Sequence, residues 1–294
     1  MKIRRGAGEL AFDIVNNIFM AIVIAVTLYP ILYVAFSSIS VPSRLMRHQG
    51  ILIAPLGLHF GAYEMVFRNP MMLRGYFNTI MYVTLGTAVN LLMTSLGAYV
   101  LSQKSFPGKT IVTFGIVFTM FFSGGLIPFY LAVKDLGIIN TPFALVLPVA
   151  INTYNLIVMR TSFMAVPDSL HESARIDGAN DWVILFKIVL GVSKPVIAVM
   201  ILFYGVYHWN AWFNAMIFLR KRELYPLQLI LREILINNST DNLMTSGVDM
   251  ADKEMISETI KYATIMSAVL PILFAYPFLQ RYFEKGVMIG AIKE

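Results

Sequence analysis

"ESARIDGANDWVILFKIVLG", running from Glu172 to Gly191, sets charge and glycine into the middle of an apolar chain. Glu172, Arg175, Asp177, Asp181 and Lys187 all fall within it. The 294-residue whole is 57% hydrophobic and 14% charged, with a mean hydropathy of +0.69. Soluble domains carry about 25% charged residues, so the surroundings read as a multi-span membrane protein. Inside the stretch the chemistry is that of two short helices. Pro167 suits a first helical turn, where its missing N–H costs nothing, and Asp168 and Glu172 then complement the positive helix end. Gly178 can take the left-handed conformation that closes a helix. Asn180 or Asp181 can cap a second piece entering "WVILFKIVL".

Working outward, a span needs about 20 mostly apolar residues. Six segments qualify: about 13–36, 77–102, 110–133, 142–163, 193–219 and 262–281. Their prolines (Pro30, Pro128, Pro148, Pro195, Pro271 and Pro277) are tolerated in membranes as kinks. Ten-residue alternation, the mark of a membrane barrel, is missing. The expected fold is therefore an all-α membrane protein of six transmembrane helices, forming a single domain over 1–294. The charged segment, 167–190, lies between spans four and five. Lys2, Arg4 and Arg5 precede a first apolar run too long for a signal peptide. An even span count puts both termini on one side, and Lys and Arg in the short connections place that side in the cytoplasm. The connections 37–75 and 220–261 are long enough to be functional.

Several classes of function are excluded. The chain has no cysteine, so thiol catalysis, disulfides and Cys-bound metal are out. His48, His59, His171 and His208 lie far apart and show no zinc-protease spacing. Neither a serine-hydrolase elbow nor a phosphate-binding P-loop occurs. The net charge of +6 comes from membrane-flanking cations, and no basic block interleaves with aromatics as nucleic-acid binding requires. No catalytic residue, metal site or cofactor is expected on this chain.

The small residues Ser173, Ala174 and Ala179 permit close approach, while Glu172, Arg175 and Asp177 can fix register with a partner. Such a two-part helix can seat in a cleft of another protein. An amphipathic helix resting on lipid is the alternative on composition, although three acids in its first ten residues suit an anionic surface poorly. Polar groups inside apolar spans line cavities or join helices. Those singled out are Asn90, Asn152, Tyr154, Asn155, Tyr204, His208, Trp209, Asn210, Trp212 and Asn214. Aromatic faces beside amides suit a sugar, but Trp and Tyr also anchor helices at interfaces.

"ESARIDGAN", with Phe186, Ile188, Leu190 and Pro195 downstream, resembles the EAA loop of bacterial ABC importer permeases. "HWNAWFNAMIFL" (His208–Leu219) with "YPLQLIL" (Tyr225–Leu231) resembles the fifth-span end of maltose-type sugar permeases. "ATIMSAVLPILFAYPFLQRYFEKGVMIGAIK" (Ala263–Lys293) resembles their last span and tail. Ser173 replaces the usual Ala, and Gly191 stands where Pro is commoner.

The resemblance implies a non-catalytic permease subunit in the bacterial cytoplasmic membrane, carrying a mono- or oligosaccharide by alternating access. Its implied partners are a second, related permease forming a heterodimer, two ATP-binding subunits that hold ATP and Mg, and an extracytoplasmic sugar-binding protein, with lipid around the spans. Glu172, Ser173, Ala174, Asp177, Gly178 and Ala179 would form the coupling helix on the ATPase. Lys285, Gly286 and Gly290 would belong to a tail reaching the ATPase pair. Asn152, Tyr154, Asn155, Tyr204, Trp209, Asn210 and Trp212 are the expected substrate pathway. A proton- or sodium-driven transporter is the alternative, although the span centres hold almost no acid.

Overall fold

The computed structural model describes residues 7–236, 258–274 and 276–277, and no strand occurs among them. Contacts group the chain into two units, one of residues 1–69 with 233–270, the other of 70–232 with 271–294.

In the first unit the helix Ala7–Ile39 spans 33 residues. Its apolar side chains, such as Phe12, Ile18 and Val26, are exposed, as suits a helix whose solvent is lipid. Its C-terminal end is tied down by serines. Ser40 Oγ donates to Phe36 O at 2.6 Å and accepts from Leu56 N at 3.0 Å, while Ser38 and Tyr63 share a 2.8 Å hydrogen bond. Residues 258–274, which overlap the expected sixth span (262–281), are helical; residues 275 and 278–281 of that expected span lie outside the described residues.

The second unit is built on the central helix Pro70–Ser102. Asn78, Thr79, Tyr82, Gly86, Asn90, Thr94 and Ala98 recur at helical spacing and are buried, while Leu73, Phe77, Ile80 and Leu92 are exposed. Polarity is thus inverted relative to a soluble helix. Small and hydrogen-bonding residues join the helices, because lipid rewards no apolar burial between them. Against this face pack Thr153–Met164 and Lys194–Trp209.

The remaining expected spans are interrupted. The segment 110–133, expected as one helix, is two, Lys109–Phe118 and Leu126–Asp135. The cause is Ser123-Gly124-Gly125, where Gly125 takes φ 85° and ψ 175°, a conformation closed to residues with a side chain. The segment 142–163 is Phe143–Val149 and Thr153–Met164, bent by 53°. Pro148 withdraws a backbone donor there, and Asn152 Oδ1 restarts the helix by accepting from Asn155 N at 3.0 Å. The segment 193–219 breaks at residues 210–212, between Lys194–Trp209 and Phe213–Phe218. Among the described residues two helices are long and apolar enough to cross a membrane, and up to four if each bent pair counts as one span.

Candidate functional site

The opening stretch forms a bent helical hairpin. Pro167 sits just ahead of the helix Asp168–Ile176, at its cap, in an extended conformation. The helix ends on Gly178 at φ 80°, with Gly178 N donating to Arg175 O at 3.1 Å and Ala179 N to Ala174 O at 2.9 Å. Those two bonds are the Schellman pattern that satisfies a helix's last carbonyls. The second arm starts at Asn180, whose Oδ1 accepts from Val183 N at 2.9 Å. Of the two capping candidates Asn180 does the capping, since Asp181 is engaged elsewhere. Asp181 Oδ1 accepts from the Tyr99 hydroxyl at 3.1 Å and lies 3.5 Å from the Arg175 guanidinium. The arm Asp181–Val192 contains a π-helical turn, Ile184–Val189, and meets Lys194–Trp209 at 88° across Ser193.

The hairpin is firmly seated. Val166, Ala174, Ile184, Leu185 and Val189 are buried in one core with Tyr99, Leu101, Met159 and Phe163. Arg160 Nε donates to Leu101 O at 3.0 Å, and the His171 ring stacks on Tyr99 with centroids 6.4 Å apart. At the rim the Lys104 ammonium donates to Asp168. That hydrogen bond, then the ammonium charge, holds the Asp168 carboxyl below its usual range, and the same bond raises Lys104.

The opposite face is open. Ser169, Glu172, Ser173 and Ile176, spaced by three and four, are all exposed, with Ile176 at 86%. This is a shallow surface of small side chains carrying one acid and one large apolar group. Of the expected contact residues, Glu172, Ser173, Asp177 and Gly178 are exposed. Ala174 is buried at 6% and Ala179 is half-buried, so both face the chain's own core. Sequence reasoning missed Ile176, although its place seven residues after Ser169 put it on this face.

The pathway candidates divide into joints and open groups. His208 Nε2 donates to Asn90 Oδ1 at 2.6 Å, and Asn90 Nδ2 donates to Val149 O at 2.5 Å. Tyr204 and Thr94 share a buried 2.7 Å hydrogen bond, and Asn155 is buried. These residues join helices. Trp209 is half-buried, its Nε1 without an acceptor among the described residues. Asn152, Tyr154, Asn210 and Trp212 are exposed and Asn214 is half-buried. At the break after Trp209, Asn210 Oδ1 lies 3.5 Å from Gln228 Nε2, and the Arg232 guanidinium lies 4.8 Å from the Trp212 ring centroid. Gln228 and Arg232 were not anticipated. Their signal is a spacing of four on the amphipathic helix Leu227–Ile236. Lys285, Gly286 and Gly290 lie outside the described residues. No cluster of three or more His, Asp or Glu able to hold a metal occurs among those described.

Residues 96–289 match the family described as binding-protein-dependent transport system inner membrane component. The chain belongs to that family. It is 40% identical to protein LplC of Bacillus subtilis over 96% of this chain and 95% of that one. It is 38% identical to the polygalacturonan/rhamnogalacturonan transport system permease protein YtcP of the same organism, over 96% and 98%. The crystal structure of a bacterial ABC transporter involved in the import of the acidic polysaccharide alginate superposes with a TM-score of 0.86 at 32% identity, covering 96% of this chain and all of that one. The resemblance read from the three motifs is thereby borne out. This is a multi-pass inner-membrane permease subunit of a sugar ABC importer, non-catalytic, with ATP hydrolysis on partner subunits. That assignment removes the gradient-driven alternative.

Proposed function

We propose that the permease is one of two related transmembrane subunits, six-spanned with both termini cytoplasmic, that import an oligosaccharide by ATP-driven alternating access. The hairpin at 167–190 is its coupling helix, docked through Ser169, Glu172, Ser173 and Ile176 in a cleft of an ATPase subunit. Gly178 sets the bend, and Asp177 closes the helix beside it. Ala174 and Ala179 act from beneath, fastening the docking face to the core. ATP and Mg bind to the two ATPase subunits, and Lys285, Gly286 and Gly290 extend the contact to that pair. An extracytoplasmic binding protein delivers the sugar.

The carrying observation is the pairing of a firm seat with an open face. Driving a two-state equilibrium from 1:99 to 99:1 takes about 5.5 kcal/mol of differential binding. Such a bias reaches the spans only through a joint that does not yield. The core around Ala174, Ile184 and Val189 and the Tyr99–Asp181 bond support that role. Asn210 and Trp212, open at a helix break, with Asn152 and Tyr154 at another, are the pathway groups best placed for sugar; Asn155 and Tyr204 shape the path by holding helices, and Trp209 flanks it. The names of YtcP and of the alginate transporter, both tied to polymers of sugar acids, support an acidic oligosaccharide as cargo.

The test is the complex co-expressed with its second permease, ATPase and binding protein, purified into nanodiscs, as wild type and as Glu172→Lys. The expected result is a wild-type complex whose ATP hydrolysis rises with sugar-loaded binding protein, and a variant that loses docking or that stimulation. A Glu172→Lys complex that docks and is stimulated normally overturns the coupling role.

A further inference from the structure

The break at residues 210–212 and the helix Leu227–Ile236 bring four side chains together. Gln228 and Arg232 stand one turn apart on one helix face. Gln228 Nε2 lies 3.5 Å from Asn210 Oδ1, and the Arg232 guanidinium carbon lies 4.8 Å from the centre of the Trp212 ring. Trp212 is 37% exposed and Arg232 half-buried, so the group is reachable from solvent.

Arg232 is held in an unusual way. Among the described residues no carboxylate pairs with it; its partner is the indole face. A guanidinium lying against an aromatic ring spends its flat face and keeps its N–H edge for a planar anion. A carboxylate is the anion whose two oxygens match that edge, giving paired charge-assisted hydrogen bonds. Partial burial sharpens the preference, because a half-desolvated cation without a counter-ion gains most from an arriving one. Beside it the Gln228 and Asn210 amides offer both donors and acceptors to hydroxyl groups. Arg220, Lys221 and Arg222, all exposed in the connection between Phe213–Phe218 and Leu227–Ile236 and followed by Glu223, add positive charge. Asn140 Oδ1 fixes the start of that run by accepting from Arg220 N and Lys221 N at 3.0 Å each. Together these groups attract an anionic, hydroxyl-rich molecule.

We infer that Arg232, held on Trp212 beside Gln228 and Asn210, is a specificity-determining residue that receives the carboxylate of a uronate unit in the transported oligosaccharide. The inference rests on the oligosaccharide-importer reading and adds the residues that distinguish acidic from neutral cargo.

The experiment uses the intact complex in proteoliposomes with saturating binding protein, and measures uptake of trigalacturonate and of a neutral oligosaccharide. The variants are Arg232→Gln, Arg232→Lys and Trp212→Phe. Arg232→Gln is expected to lower trigalacturonate uptake about tenfold, the loss typical of a charge-assisted contact. Arg232→Lys keeps the charge without the fork and should fall between the two. Trp212→Phe keeps an aromatic seat with a weaker π-face and should lower trigalacturonate uptake by less than Arg232→Gln. Co-purification with the ATPase should be retained in all three, which shows that the complex still assembles. Equal loss for both sugars in Arg232→Gln identifies a merely structural tie and overturns the inference, as does unchanged trigalacturonate uptake. A wild type that moves only the neutral sugar also overturns it, while leaving the importer reading intact. A wild type that moves no sugar at all removes that reading, and the inference with it.

Discussion

Tyr99 donates its phenolic hydrogen to Asp181 Oδ1 at 3.1 Å, tying the central helix Pro70–Ser102 to the second arm of the hairpin across 82 residues of sequence. Arg175, on the first arm, lies 3.5 Å from the same oxygen. One carboxylate oxygen therefore holds both arms and the helix beneath them. Tyr99→Phe removes the donor and leaves the ring. It should cost about 1 kcal/mol of stability, near the centre of measured values for one hydrogen bond. A larger fractional loss is expected in stimulated than in basal ATP hydrolysis, and comparing the two rates in the purified complex checks this.

Gly178 is at φ 80°, and a Cβ built there meets nothing within 4 Å. Its requirement is conformational rather than steric. Gly178→Ala should cost about 1 kcal/mol and dock with reduced coupling. Gly178→Pro, whose ring fixes φ near −65°, should abolish sugar-stimulated hydrolysis while the chain still inserts. Membrane fractionation alongside the ATPase assay separates the two effects. Normal transport by the proline variant would end the coupling-joint reading.

Ile176 is 86% exposed beside Glu172 and Ser173. Covering such a side chain contributes roughly 1.5–3 kcal/mol, so Ile176→Ser should weaken ATPase retention about tenfold or more. The variant's own melting temperature should not move. A titration of the ATPase subunit onto immobilised permease reads the first quantity, and a thermal melt reads the second.

Gly86 lies directly under the His208 ring, and a Cβ there has no room. Gly86→Ala must push His208 away from Asn90 Oδ1, an overpacking expected to cost about 1–3 kcal/mol. Truncating the ring as well, in Gly86→Ala with His208→Ala, relieves the clash. The double variant should melt no lower than His208→Ala alone, and a lower melting point would show that the close approach is not what Gly86 provides.

The Lys104–Asp168 pair is exposed, and its pH response follows from its shifts. Asp168 is lowered by the hydrogen bond from Lys104, so its contribution is present above the ordinary carboxylate range and is lost as pH falls through the lowered value. Lys104 is raised by the same bond, so its contribution is lost only as pH climbs past the ordinary lysine range. Between about pH 5 and pH 9 a Lys104→Met, Asp168→Asn double-mutant cycle should give a flat coupling that shrinks with added salt.

The hairpin was legible in the sequence because its determinants are local. Gly178 closes one helix and the Asn180–Asp181 corner opens the next, all within a few residues. The choice between Asn180 and Asp181 as cap was not legible, since it depends on Tyr99. Ala174 and Ala179 were read as partner-facing small residues. They face inward, because small size permits close packing on either side. The segment 110–133 was read as continuous because its mean hydropathy outweighs the local demand of Ser123-Gly124-Gly125. Arg232 and Gln228 were passed over because they lie in a long connection rated by its polarity. Only folding brings them beside Asn210 and Trp212.

If the hairpin couples as proposed, the near-right angle between Asp181–Val192 and Lys194–Trp209 makes it a gearing element. An arm of twelve residues, about 18 Å long at 1.5 Å per residue, joins its span as a crank joins a shaft. A push along the arm has almost no component along the span's axis. Under the proposed coupling role it would act as torque, so the span would answer by tilting about its packed neighbours instead of sliding through the bilayer like a piston. Such a stroke would open and close the two ends of the proposed pathway in opposite senses while its middle hardly moved.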